Sequence, residues 1–222
     1  MSIQSSSSKP EFRLAYFEFE IRLVEAVTLP ADKGSCWHGA FGEALGRIGI
    51  NFRDYFFNPQ PPPHWSTAQQ APPRPYILIP PLADKTDYAA GESLSFGIVL
   101  FGAAIAHFML VFAAFSHLGE FMGLGRQRGR FGIESVKQLS AAGAVDLYQH
   151  PHWLGQVQTL NAETILSAAP QSVPSINLHH FTRLRLKAEN QLLNTTPAFK
   201  LFMRSYARTL ITGLFTESGA NP

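Results

Sequence analysis

Between residues 119 and 132 the chain reads G-E-F-M-G-L-G-R-Q-R-G-R-F-G, with Arg126, Arg128 and Arg130 threaded among glycines and no acid between Phe121 and Ile133. Glycine admits positive φ and lets backbone N–H groups approach a ligand, and an arginine fork matches phosphate oxygens two at a time. The loop is therefore a candidate cradle for a polyanion. The competing reading is a tight helix-to-strand connection whose arginines are merely solvated.

Proton transfer at neutral pH calls first on histidine. His38 is the leading catalytic candidate, because the sequence predicts it in the first turn of a helix, where unsatisfied N–H groups and the positive dipole end attract phosphate. Lys33, just upstream, would steady negative charge, and Arg53 and Tyr55 follow the same helix. Gly39, Gly42 and Gly46 form a bare strip beside His38, at about 1 kcal/mol each relative to alanine, which lets a neighbouring backbone or a ligand strand come close. His179 is expected on a strand face with Arg183, Arg185 and Lys187, an arrangement suited to anion contact, while His180 points the other way. His64, His150 and His152 fall in loops. No histidine pair with a carboxylate has metal-ligand spacing and no G-x-x-x-x-G-K-[ST] loop is present, so neither metal nor cofactor is expected.

These residues need elements to place them. Residues 13–24 alternate, with Ala15, Phe17, Phe19, Ile21 and Leu23 on one face and Tyr16, Glu18, Glu20 and Arg22 on the other, which predicts a half-buried strand. A helix follows from Gly34-Ser35, its apolar face formed by Trp37, Phe41, Ala44, Leu45 and Ile48. Residues 58–75, rich in proline, predict an extended loop or contact arm. A strand at 76–81, a second at 94–101, a helix at 103–118, the glycine loop and a strand at 131–139 complete the order β-α-β-β-α-β. That is an α+β, ferredoxin-like unit, two helices on one side of a four-stranded antiparallel sheet, with the other face free to bind.

Composition narrows the class. The chain has 222 residues, 45% of them hydrophobic, and 18 basic against 16 acidic side chains. Up to Leu118 the acids outnumber the bases, and beyond it the balance reverses, so the basic excess travels with the glycine loop. Cys36 is the single cysteine, which leaves no internal disulfide and makes a reducing cytoplasm the expected location. The polar start is expected to be a disordered tail over 1–10, without an export signal. Phe96 to Leu118 has the apolarity of a membrane span, but Gly97, Gly102, His107 and His117 interrupt it and no basic cluster flanks it. A buried strand and helix, and no membrane, are expected there.

The predicted organisation is a first ferredoxin-like domain over 11–140, a connecting segment over 141–173, and the start of a second unit over 174–222. In the last, a strand at 175–187 leads to a helix entered at Thr196-Pro197. A strand and a helix cannot bury a core alone, so a truncated second fold or a partner chain that completes it is expected.

Five stretches, in order, carry a resemblance: L-P-A-D-K-G-S-C-W-H-G-A-F-G-E-A-L at 29–45, R-P-Y-I-L-I-P-P at 74–81, G-E-S-L-S-F-G-I-V-L-F-G-A-A at 91–104, L-G-E-F-M-G-L-G-R-Q-R-G-R-F at 118–131 and F-T-R-L-R-L-K at 181–187. Together they resemble the CRISPR-associated endoribonucleases that process precursor CRISPR RNA, the Cas-six family of the RAMP superfamily. The resemblance implies tandem ferredoxin-like folds, CRISPR repeat RNA as partner, other Cas proteins as further partners, and metal-independent cleavage by attack of a 2′-hydroxyl on the adjacent phosphate. Catalytic side chains vary in that family, so assignment rests on chemistry. His38 would serve as acid or base with Lys33 and Tyr55, and Arg53, Arg126, Arg128, Arg130, His179, Arg183, Arg185 and Lys187 would hold RNA. Two alternatives stay open: a catalytically silent RAMP RNA-binding subunit of an effector complex, and a protein–protein scaffold using the proline-rich arm.

Overall fold

The alternation of β1 (Arg13–Leu23) sets the core. Ala15, Phe17, Phe19, Ile21 and Leu23 all point inward and none exceeds 1% exposure. The computed structural model describes residues 12–61, 72–140 and 142–167, residue 172, and the pairs 187–188 and 191–192. After β1 come β2 (Val27–Thr28), α1 (Lys33–Ile48), α2 (Ile50–Phe57), β3 (Tyr76–Ile79), β4 (Asp87–Tyr88) and β5 (Ser93–Phe101). A 3-10 turn at Gly102–His107 leads into α3 (Phe108–His117) and a π turn at Leu118–Met122. Then follow β6 (Phe131–Ser140), β7 (Gly143–Gln149), β8 (His152–Trp153), β9 (Leu160–Asn161) and α4 (Ala162–Ser167).

The sheet runs β3-β5-β1-β6-β7-β8, with β9 pairing the start of β1. Every pairing along it is antiparallel. The four strands β3-β5-β1-β6, joined through α1 and α3, make the ferredoxin-like βαββαβ unit. The fold is accordingly α+β, as the element order predicts.

Between helices and sheet lies an aromatic core. Phe17 stacks on Phe108 at 4.0 Å, Phe19 on Phe96 at 5.0 Å and Phe41 on Phe115 at 4.9 Å between ring centres. Such pairs each add about 0.5–1.5 kcal/mol beyond the area they bury. The continuous helical stretch Gly102–Met122 is apolar and long enough to cross a membrane, but Phe108, Val111, Ala114, Phe115 and Leu118 are buried in this core.

Two differences from the sequence expectations stand out. The predicted connector over 141–173 in fact supplies β7, β8 and β9 to the sheet. A register shift between Val136 and Lys137 puts the adjacent residues Leu147 and Tyr148 both under cover, which spoils the alternation that marks a strand. The segment N-F-R-D-Y-F-F, for which the sequence predicts no element, lies in the helix α2. The tail over 1–10, the strand predicted at 175–187 and the helix from Thr196 lie outside the described residues, apart from the short hairpin β10 (Lys187–Ala188) with β11 (Gln191–Leu192).

Candidate functional site

Asp32 caps α1, its Oδ1 accepting the Gly34 N–H at 3.3 Å. The helix therefore begins at Lys33, one turn before His38. This corrects the expectation of a first-turn histidine: the unsatisfied N–H groups are spent before His38 is reached, so its position confers no direct phosphate cradle. What the helix does is hold the imidazole at the edge of its buried face, next to Trp37 and Phe41.

The glycine strip explains what covers it. A Cβ at Gly42 would lie 2.7 Å from the Phe57 ring, and one at Gly46 would lie 3.3 Å from Cδ of Arg53. The strip thus seats α2, and Phe57 at the end of α2 comes to 4.7 Å from the His38 ring. Tyr76, the first residue of β3, completes the pocket, its hydroxyl 2.9 Å from Nε2 of His38. Two residues upstream, Arg74 brings Nη1 against the same Nε2. It is anchored by an Nε donation to the Phe57 carbonyl at 3.3 Å and by its guanidinium carbon lying 5.1 Å from the Phe57 ring centre.

Both partners of Nε2 are donors, so this nitrogen accepts and the ring proton is assigned to Nδ1. Burial lowers the His38 pKa, and the neighbouring Arg74 charge lowers it further. Burial also raises the Tyr76 phenol, against the opposing pull of Arg74, so it is a neutral donor at physiological pH. The result is a neutral base, a phenolic donor and a fixed cation around one nitrogen. Sequence reasoning missed Arg74 and Tyr76 as site residues, although both stand in the R-P-Y-I-L-I-P-P stretch.

The other catalytic candidates go elsewhere. Lys33 is only 3% exposed and its ammonium donates to the Ala83 carbonyl at 2.6 Å. It ties the start of α1 to the chain before β4 instead of meeting His38. Tyr55 packs edge-on to His107 at 5.0 Å and lines a separate cleft of about 590 Å³ with Arg13, Met109, Val157 and Thr159. Burial raises its pKa as well. Arg53 is exposed on α2.

In the glycine loop the competing structural account holds for the glycines. Gly123 sits at φ 69, ψ 170, and a Cβ there would lie 2.0 Å from the Arg128 carbonyl oxygen. Gly125, at φ 69, faces the Thr28 carbonyl, 2.5 Å from where its Cβ would be. The loop closes as a tight hairpin, Leu124 bridging Gly129, and is fastened to β2 by Gln127, whose Oε1 accepts the Thr28 N–H and whose Nε2 donates to the Thr28 hydroxyl, each at 3.1 Å. Arg130 is engaged by Glu25 through Nε at 3.0 Å and Nη2 at 2.7 Å, which lowers the Glu25 pKa. Arg126 and Arg128 remain exposed at the tip, Arg128 with φ 53.

The open face of the sheet carries Glu18 and Glu20 on β1, Lys137 opposite Glu18, and Asp146 opposite Lys137. Arg22 there is paired to Glu134 at 3.1 Å. Among the described residues, acids outnumber bases on this face, which disfavours a phosphate backbone there. Among the described residues no group of three His, Cys, Asp or Glu side chains is gathered as for a metal ion. His179, Arg183, Arg185 and the side chain of Lys187 lie outside the described residues.

Residues 12–162 match the family model described as AF_1859_N, N-terminal domain. No curated protein matches the chain. Among solved structures it is similar to a chain of the Csm3–Csm4 subcomplex in the type III-A CRISPR-Cas interference complex, at 16% identity and a TM-score of 0.41, over 61% of this chain and 81% of that one.

Proposed function

This chain belongs to the AF_1859_N N-terminal domain family, and from that premise we propose that it is a CRISPR repeat RNA-binding endoribonuclease. It processes precursor CRISPR RNA by attack of a 2′-hydroxyl, without a metal ion. The observation that carries this reading is the convergence of the Tyr76 hydroxyl and the Arg74 guanidinium on Nε2 of His38. The five stretches that resemble the Cas-six family support it, and two of them contain these three residues.

In this mechanism RNA displaces Arg74 from the imidazole, and the guanidinium turns to the scissile phosphate, where it stabilises the charge of the five-coordinate state. Nε2 of His38 takes the 2′-hydroxyl proton as the new O–P bond forms. Tyr76 gives its proton to the departing 5′-oxygen as the old O–P bond breaks, leaving a cyclic phosphate and a 5′-hydroxyl. The histidine proton then returns to the phenolate across the 2.9 Å contact, restoring both groups. Arg126 and Arg128 hold flanking phosphates, with Arg53 on the outer side of α2 as a further contact. His179, Arg183, Arg185 and the side chain of Lys187, outside the described residues, add to this basic charge, and other Cas proteins are its partners in the cytoplasm.

A second reading draws on the same contact. If Arg74 keeps its hold on Nε2 when RNA is bound, the base is occupied and the protein is a silent RNA-binding subunit. Incubation with labelled repeat RNA in EDTA separates the two: cleavage that a single 2′-deoxy substitution abolishes supports the enzyme, and tight binding without cleavage supports the silent subunit.

A further inference from the structure

Phe121 is 72% exposed, the most exposed large apolar side chain among the described residues. Its presentation is built rather than accidental. It stands on the π turn Leu118–Met122, which the Gly123 N–H closes onto the Leu118 carbonyl at 2.6 Å. Leu118 and Met122 on either side of it are buried, so the turn is anchored inward at both ends while Phe121 is held out. The His117 ring supports it at 5.0 Å, one turn earlier.

Its neighbours name the occupant. Gly123, two residues on, packs against the backbone of Arg128, which brings the arginine tip back beside the turn. Arg126 and Arg128 are exposed there, and Glu120 is the single acid on the turn. An exposed aromatic ring on the turn against which the arginine tip's backbone packs fits a chain of alternating flat rings and phosphates. A duplex hides its base faces, so only an unpaired segment offers a ring to stack.

We infer that Phe121 is a stacking platform for an unpaired nucleobase of single-stranded RNA, whose phosphates lie on Arg126 and Arg128. This rests on the RNA-binding part of the proposed function and adds to it a position and a strandedness.

The test is fluorescence anisotropy of labelled single-stranded repeat RNA against the full chain, wild type, Phe121→Leu and Phe121→Trp, across a range of salt. Leucine keeps the apolar character and loses the ring, so Phe121→Leu should bind about 5- to 100-fold more weakly with an unchanged salt slope, and Phe121→Trp should bind at least as well as wild type. A single abasic site stepped along the RNA should, at one position, equalise wild type and Phe121→Leu. Wild type without affinity for RNA would remove the reading on which the inference stands. Wild type that binds while Phe121→Leu binds equally, or while Phe121→Trp is as weak as Phe121→Leu, would overturn the stacking role alone.

Discussion

The Tyr76 hydroxyl lies 2.9 Å from Nε2 of His38, across the gap between the second turn of α1 and the edge strand β3. Nothing local joins these residues. They meet because α1 crosses from β1 to the strand at the sheet's far edge, and because Gly42 lets α2 close over the imidazole. That meeting gives the protein one neutral base with its own proton donor, and the Arg74 guanidinium on the same nitrogen makes its protonation sensitive to charge.

The pH dependence follows from the direction of the His38 shift. Its pKa is lowered by burial and then by Arg74, so more of His38 is neutral, and competent as a base, at a pH where an ordinary histidine is half protonated. The acid limb of the cleavage profile should therefore inflect below the ordinary histidine value. In Arg74→Ala the second cause disappears, and the inflection should rise while burial still holds it down. Folding is linked in the same sense: the unfolded chain binds the proton more readily, so stability from this group is lost as pH falls from the unfolded value toward the folded one. Thermal melts of wild type and His38→Gln over that window check this, the variant showing the shallower decline.

Arg126 and Arg128 should act as point contacts to phosphate. Each change to alanine should weaken single-stranded RNA binding and reduce the slope of log affinity against log salt by about 0.7. Arg130 is already held by Glu25, so Arg130→Ala should leave the slope nearly unchanged. Binding isotherms at several salt concentrations decide between the three positions.

Gly123→Ala should destabilise the fold. The backbone there occupies a region open essentially to glycine alone, worth about 1–3 kcal/mol, and the Arg128 carbonyl fills the space a Cβ needs. Urea titration reads the loss directly. A variant as stable as wild type would show that the loop relaxes freely, contrary to its packing on β2.

Lys33→Met should preserve cleavage to within about threefold, since the ammonium loses only its bond to the Ala83 carbonyl, worth about 1–3 kcal/mol to folding. A loss of turnover by orders of magnitude with the fold intact would restore Lys33 to the site.

The core and the element order were legible in the residues because alternation in β1 and the helical stripe of Trp37, Phe41, Ala44 and Leu45 report burial directly. β7 was not, since the register shift at Val136 and Lys137 breaks its period. Of the site, His38 could be named from its chemistry, but its partners could not. Lys33 and Tyr55 are close to it in sequence and turn to Ala83 and His107, whereas Tyr76 and Arg74 are brought to it by the tertiary fold. The glycine loop misled in part: its glycines answer to protein backbone at Thr28 and Arg128, and only the two exposed arginines are left for a ligand.

The most direct test of the account is the rate at which His38→Ala cleaves labelled CRISPR repeat RNA in EDTA, measured beside wild type at saturating protein, with the product ends identified. The account predicts a cyclic phosphate and a 5′-hydroxyl from wild type, and a rate lower by about 10²- to 10⁴-fold in the variant at unchanged RNA affinity. Equal rates for the two proteins, or tight binding by wild type with no cleavage at all, would contradict it.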